Sequence, residues 1–184
     1  MWHKLLRDAR LHQVLLEADR EIASETRARG CPACGGRLHV ATYERKPRSG
    51  VQLPAEYDKR FSFCCAKDGC RKRVTPASLR FLGRRVYLGL IVVLVPVLRH
   101  GPSPTRVRRL RELVGVSRRT VERWCRWWHS ELVQTPFWRL AQGEFAEPVA
   151  HEELPSSLLQ GFGGDDESKL VGALRFLGPL SGTA

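Results

Sequence analysis

Six cysteines stand in this chain, and five of them, Cys31, Cys34, Cys64, Cys65 and Cys70, fall within 40 residues, with Cys125 apart. The first pair sits in Cys31-Pro-Ala-Cys34-Gly-Gly. That spacing lets two thiolates of one tight turn point at one metal while backbone amides donate to the sulfurs, and the glycines supply the unusual backbone angles. The second group stands in Phe61-Ser-Phe-Cys64-Cys65-Ala-Lys-Asp-Gly-Cys70, with four residues between Cys65 and Cys70 where two are usual. Two such turns facing each other predict one structural Zn2+ per chain. In a strand, Phe61, Phe63 and Cys65 share a face, which selects Cys65 over its neighbour Cys64. The expected ligands are Cys31, Cys34, Cys65 and Cys70, with His39 as a substitute ligand. Four thiolates leave no open position for water, so the metal is expected to hold the fold and not to catalyse. A disulfide framework is the competing reading of six cysteines; two adjacent cysteines and the lack of a signal-type leader speak against it.

The second pattern is positive charge. Lys and Arg total 31 against 19 Asp and Glu, a net charge of +12. Residues 1–36 carry +1, residues 37–131 carry +15 and residues 132–184 carry −4, so the excess lies in the middle of the chain. A polyanion is the expected partner, nucleic acid before an acidic membrane surface. The longest apolar run, Val86 to Leu98, has 13 residues and contains Gly89 and Pro96, too short to span a bilayer. No signal-type apolar stretch opens the chain, which predicts a cytoplasmic protein and no membrane partner.

Within the basic region, the sequence reads as helix, turn, helix. An apolar helix over Arg84–Arg99 is stopped by His100-Gly101-Pro102. Ser103 then caps a helix over Thr105–Val114, Gly115-Val116 turns, and Ser117 caps a helix from Arg118 to Leu132. On that last helix Val121 and Trp124 can face inward while Arg118, Arg119, Glu122 and Arg123 stay outside near its start. Arginine can bond guanine edges in a major groove, so Arg118, Arg119, Thr120 and Arg123 are the candidate base readers. Trp127, Trp128 and Cys125 are expected in the core. Lys67, Arg71, Lys72 and Arg73, with Arg84 and Arg85, are the candidate phosphate contacts, and Arg106 is a further candidate DNA-binding residue. An ordinary helical hairpin with a solvated basic face is the plainer alternative.

Other elements must position these groups. Residues 3–28 have the periodicity of an amphipathic helix, ended by Gly30 as a left-handed cap, for packing or for homodimerisation. Leu38–Tyr43 and Arg60–Cys65 read as short strands. Residues 132–167 read as loop with short helices, and a last helix is expected over Ser168–Leu177. The fold class is mainly α with a small β zinc ribbon. Its parts are an N-terminal helix (1–29), the ribbon (30–78), a three-helix helix-turn-helix domain (79–132) and a C-terminal extension (133–184).

The motifs Cys31-Pro-Ala-Cys34-Gly, Phe63-Cys64-Cys65…Gly69-Cys70-Arg71 and Gly115-Val-Ser-Arg-Arg-Thr-Val-Glu-Arg-Trp124 resemble the N-terminal DNA-binding part of insertion-sequence transposases. The stretch Cys70 to Tyr87 is similar to one in small bacterial proteins of transposase type. The resemblance covers roughly residues 30–131. It implies double-stranded DNA binding linked to mobile elements, a nucleoid location, and zinc at Cys31, Cys34, Cys65 and Cys70. Only 52 residues follow Leu132, too few for the three-carboxylate nuclease domain of such enzymes. The adjacent Asp165, Asp166 and Glu167 read as solvated surface, and no enzyme is expected. The expected function is therefore a transposon-associated accessory factor or a transcriptional regulator. The alternatives are an adaptor docking a transposase or nuclease encoded nearby, and an RNA-binding ribbon protein.

Overall fold

The computed structural model describes residues 2–45, 53, 56–82, 89, 108, 115 and 117–182. It is mainly helical, with a small antiparallel sheet. The expected helices over Arg84–Arg99 and Thr105–Val114 lie outside the described residues, as do Arg84, Arg85 and Arg106. Gly89 is described in those stretches, helical and buried, and so is Arg108, helical and exposed.

The first helix is divided. Helix α1 covers Trp2–Leu5 and α2 covers Ala9–Arg29. The division falls at Asp8, whose carboxylate accepts from the amides of Arg10 (2.9 Å) and Leu11 (3.3 Å). A short acidic side chain gains more as a cap than in a helix interior. Leu11, Leu15, Leu16, Ala18 and Ala23 turn inward, whereas Val14 is exposed. Gly30 ends α2 at φ 79°, but its ψ of −171° is extended, not left-handed helical as expected. A side chain there would press on the carbonyl oxygens of Gly35 and Gly36 at 3.1 and 3.3 Å. The glycine thus lets the helix end lie directly on the first cysteine turn.

Strands β1 (Leu38–Val40), β4 (Phe63–Cys65) and β5 (Arg73–Val74) form a three-stranded antiparallel sheet in the order β1-β4-β5. Strands β2 (Tyr43–Glu44) and β3 (Lys59–Arg60) pair beside it, Tyr43 opposite Arg60. One sheet face buries Leu38, Phe63, Cys65 and Val74 against Cys31 and Ala23 of α2.

The larger core gathers Leu11, Leu15 and Leu16 of α2, Leu79 and Phe81, and the tryptophans Trp124, Trp128 and Trp138. Helix α3 (Arg118–Arg126) begins at Ser117, whose hydroxyl accepts from the Thr120 amide at 3.3 Å. It runs on through a π-helical turn over Trp127–Glu131 and a 3-10 turn over Leu132–Gln134. An α-helix overshoots a four-residue spacing by about 40°. The wider π turn cancels part of that drift, so Trp124, Trp128 and Leu132 all stay buried. Cys125 and Trp127 are only half-buried beside them.

After α3 come the short helices α4 (Pro136–Ala141) and α5 (Ser156–Gln160), then α6 (Asp166–Leu177). The last begins two residues before its expected start because Asp165 caps it, accepting from the Ser168 amide at 2.8 Å. Its Leu170, Ala173, Leu174 and Leu177 join the larger core, so this part of the chain packs on the same interior as α2 and α3. No described helix is long and apolar enough to cross a membrane.

Between the two cores lies a buried ion pair. Asp19 of α2 accepts from Arg80 Nε (2.8 Å), the Leu79 amide (2.7 Å) and the Ser78 hydroxyl. Arg80 is fully buried; its Nη1 donates to the Tyr57 carbonyl (2.7 Å) and its Nη2 to the Lys59 carbonyl (2.9 Å). The rings of Tyr57, Phe61 and Phe81 lie 5.0–5.2 Å from its guanidinium carbon. Removing one partner of such a pair strands the other charge in a dry site. Asp19→Ala should therefore cost about 3–5 kcal/mol in denaturant unfolding, and Asp19→Ala with Arg80→Met should recover part of that loss.

Two turns earlier on α2, buried His12 donates from Nε2 to the Leu6 carbonyl (3.0 Å) and accepts at Nδ1 from the Tyr57 hydroxyl (3.0 Å). Burial lowers its pKa from 6.5 against smaller raising effects of the Leu6 carbonyl and Asp8. The unfolded chain then binds more protons at mildly acid pH. The stability held by neutral His12 is full above about pH 6.5 and is lost as pH falls through the lowered folded-state value. Melting curves over that range should show less acid loss in His12→Gln than in the parent chain.

Candidate functional site

Four thiols converge where the end of α2 meets the sheet. The sulfurs of Cys31, Cys34, Cys65 and Cys70 all lie within 4.8 Å of one another. Cys31 and Cys70 are 3.8 Å apart and Cys34 and Cys65 3.5 Å, with no disulfide between them. Cys31 and Cys65 are buried; Cys34 and Cys70 are half-buried.

The first turn is closed by the Cys34 and Gly35 amides donating to the Cys31 carbonyl, and by the Cys31 amide donating to the Gly36 carbonyl. In the second turn the Cys70 and Arg71 amides donate to the Lys67 carbonyl, and the Cys65 amide donates to the Lys72 carbonyl. The two turns are thus the same device, with a two-residue insertion in the second that leaves the thiol on Cys65 and passes the closing carbonyl to Lys67. The insertion explains the longer spacing, and it aims the Lys67 amide at Cys65 Sγ (3.4 Å). The correspondence places Arg71 where the first turn has Gly35. Gly35 has φ 68° and Arg71 has φ 44°, the one described residue other than glycine at positive φ.

Gly36 is a wall of the site. A Cβ on it would stand 3.1 Å from Cys65 Sγ and 3.3 Å from Cys34 Sγ. The amide of Lys67 favours a thiolate at Cys65, yet burial and the thiols of Cys34, Cys70 and Cys31 push its pKa up to about 12. Four sulfurs this close cannot all carry charge unaided, and a divalent cation among them removes that obstacle. The donor set and its spacing fit a thiolate-bound metal ion.

Cys64 is turned away. It lies opposite His39 on β1 and Arg73 on β5, and its thiol faces the Arg71 carbonyl at 3.4 Å. His39 is exposed on that same outer side of the sheet, so it does not serve as a substitute ligand. Cys125 stands apart in α3, where burial raises its pKa.

Among the basic candidates, Lys67, Arg71, Lys72 and Arg73 are all exposed around the second turn and β5. On α3, Arg118, Arg119 and Arg123 are exposed, Arg118 beside Glu122 at 2.7 Å, while Val121 and Trp124 are buried. Thr120 departs from expectation. It is only 8% exposed, and its hydroxyl lies 3.1 Å from that of Ser117. Its side chain belongs to the helix cap and is not available to a base edge.

The paired turns make the cysteines separable by experiment. Metal analysis should find about one metal ion per chain, and Cys31→Ser or Cys70→Ser should release it and unfold the sheet. Cys64→Ser should be far milder than Cys65→Ser. Gly36→Ala should lower metal affinity in a chelator titration while leaving all four thiols in place; unchanged affinity would mean the sulfurs do not enclose the ion. Comparison of the chain with known protein families, with curated proteins and with solved structures finds no match.

Proposed function

We propose that this chain is a zinc-stabilised, sequence-specific double-stranded DNA-binding protein, a zinc ribbon joined to a helix-turn-helix. Its role is that of a transposon-associated accessory factor or transcriptional regulator, and it binds DNA without cutting it. Cys31, Cys34, Cys65 and Cys70 hold the zinc, which supplies a fixed tetrahedral cross-link between the two turns. The transposon link comes from the resemblance of the cysteine and helix motifs, not from any match to a known protein.

The observation that carries the reading is the division of α3 into two faces. Val121, Trp124 and Trp128 anchor it in the core, and Arg118, Arg119 and Arg123 stand exposed within two turns of its Ser117 cap. A helix held on one side with arginines at its exposed start is what a major groove accepts. The helix N-terminus also favours a phosphate nearby. With Thr120 occupied in the cap, base reading falls to the arginines. Asp165 and Asp166, which adjacency alone left as surface carboxylates, are the cap and first turn of α6. That structural use supports a binding role over a catalytic one.

Arg71 adds support of another kind. It keeps a long charged side chain in a backbone conformation that its counterpart Gly35 adopts without strain, at a cost of roughly 1 kcal/mol. A phosphate contact gives that side chain a use.

The reading is tested by selecting bound duplexes from a random pool and measuring affinity for a selected site and for random duplex. Arg119→Ala should cost the selected site about 1–3 kcal/mol and spare much of the random binding. Equal losses on both would mean that α3 reads no sequence. Arg71→Gly should raise the melting temperature while weakening both duplexes alike. A variant that is neither more stable nor weaker in binding would remove Arg71 from the interface.

A further inference from the structure

The outer side of the sheet carries an arrangement that α3 does not need. Two guanidiniums lie over the ring of Tyr43, with the Arg73 carbon 5.7 Å and the Arg45 carbon 5.8 Å from its centroid. They come from different parts of the chain. Arg73 is on β5 and also reaches the Ser62 hydroxyl from Nη1 at 3.4 Å. Arg45 directly follows β2, and its amide donates to the Asp58 carbonyl. Tyr43 itself is fixed by β2 pairing with β3, where Arg60 stands opposite.

Residues 37–45 and 56–73 hold eight basic and four acidic residues, and the basic Arg60 among them is buried. The acidic ones are Glu44, which stands opposite Lys59, Glu56, which pairs with Arg20, Asp58, and Asp68, exposed in the second turn. None of them pairs with Arg73, which is exposed and makes no ion pair among the described residues. The ring attracts each guanidinium through its π face, and the cations repel each other. An aromatic ring that gathers like charges, with Arg73 exposed and Tyr43 and Arg45 half-buried, suits an anion that meets them from the Arg73 side. Guanidinium binds phosphate oxygens in its own plane through paired N–H groups, so fixing that plane beforehand favours phosphate over small diffuse anions.

We propose that Tyr43, Arg45 and Arg73 form a phosphodiester clamp, a second DNA contact separate from α3 that grips the backbone of the duplex whatever its sequence. It rests on the DNA-binding reading above but not on base reading by α3. Arg45 and Arg73 touch the phosphates. Tyr43 is a positioning residue, and this separates a clamp from a solvated basic surface. On a solvated surface only charge matters, and Tyr43 has none.

The test uses the full chain with its metal, random duplex DNA and a salt series, with melting temperature and zinc content checked for each variant. Tyr43→Leu leaves the net charge unchanged. It should nevertheless weaken random-duplex binding several-fold and lower the slope of log affinity against log salt by about one phosphate contact. Tyr43→Phe keeps the ring and should bind like the parent. Arg73→Gln, at an exposed position, should match Tyr43→Leu and serves as the readout if Tyr43→Leu fails to fold. Tyr43→Leu binding as tightly as the parent overturns the clamp, as does a folded Arg73→Gln with an unchanged salt slope. A loss seen only with RNA, duplex binding being untouched, also overturns it. If Arg119→Ala proves indifferent to sequence while Tyr43→Leu still weakens random duplex, the base-reading proposal falls and the clamp stands. A parent chain that binds no duplex overturns both.

Discussion

The buried carboxylate of Asp19 is the constraint around which the described parts of this protein are arranged. It sits on α2 between the larger core, where Leu15 and Leu16 point, and the smaller one, where Ala23 covers the sheet. A charge at that depth is tolerated only when its lone pairs are met, and Ser78, Leu79 and Arg80 meet them from a single stretch of chain. Arg80 then carries the constraint onward to the carbonyls of Glu56, Tyr57 and Lys59, next to β3. The helix, the segment after the sheet and the approach to β3 are therefore held in one geometry. Apolar contacts alone would allow them to slide, whereas hydrogen bonds to a buried charge do not.

That geometry also explains how the cysteine turns keep their place. One residue, Gly30, separates α2 from Cys31, so the orientation of the helix sets the orientation of the first two thiols. The other two belong to β4 and the turn after it, whose inner face packs under Ala23. The four sulfurs meet because α2 and the sheet are fixed to each other by contacts outside the site. A metal ion would find them already gathered within 4.8 Å, which reduces the ordering that binding must impose.

The parts legible in the sequence are those with a local signature. The cysteine spacing, the glycines of the first turn, the Ser117 cap and the inward pair Val121 and Trp124 each follow from a few neighbouring residues, and strand alternation separated Cys65 from Cys64. What stayed hidden depends on long-range pairing. Asp19 and Arg80 are 61 residues apart, and each alone reads as an ordinary surface charge. His12 on α2 gave no sign of its distant partner Tyr57, nor Tyr43 of Arg73 on a strand 30 positions away. Thr120 misled in the opposite direction, because a threonine three places after a cap serine suits both the cap and a groove. Asp8 shows the same competition within one helix, its value as a cap exceeding the continuous apolar periodicity around it.

The same network reaches the far end of the described chain. Ser181 accepts from the Ser78 amide with its hydroxyl (2.7 Å) and from Arg60 Nη2 with its carbonyl (3.0 Å). Arg60 is on β3 and almost wholly buried, with its other Nη2 contact at the Pro76 carbonyl. During synthesis, therefore, the cysteine turns and the sheet leave the ribosome long before the residue that completes the hydrogen bonding behind them. A nascent chain stopped short of residue 181 leaves the Ser78 amide and Arg60 each one acceptor short. The cysteine-bearing part can gather early, but its interior closes only when the turn at residue 181 arrives.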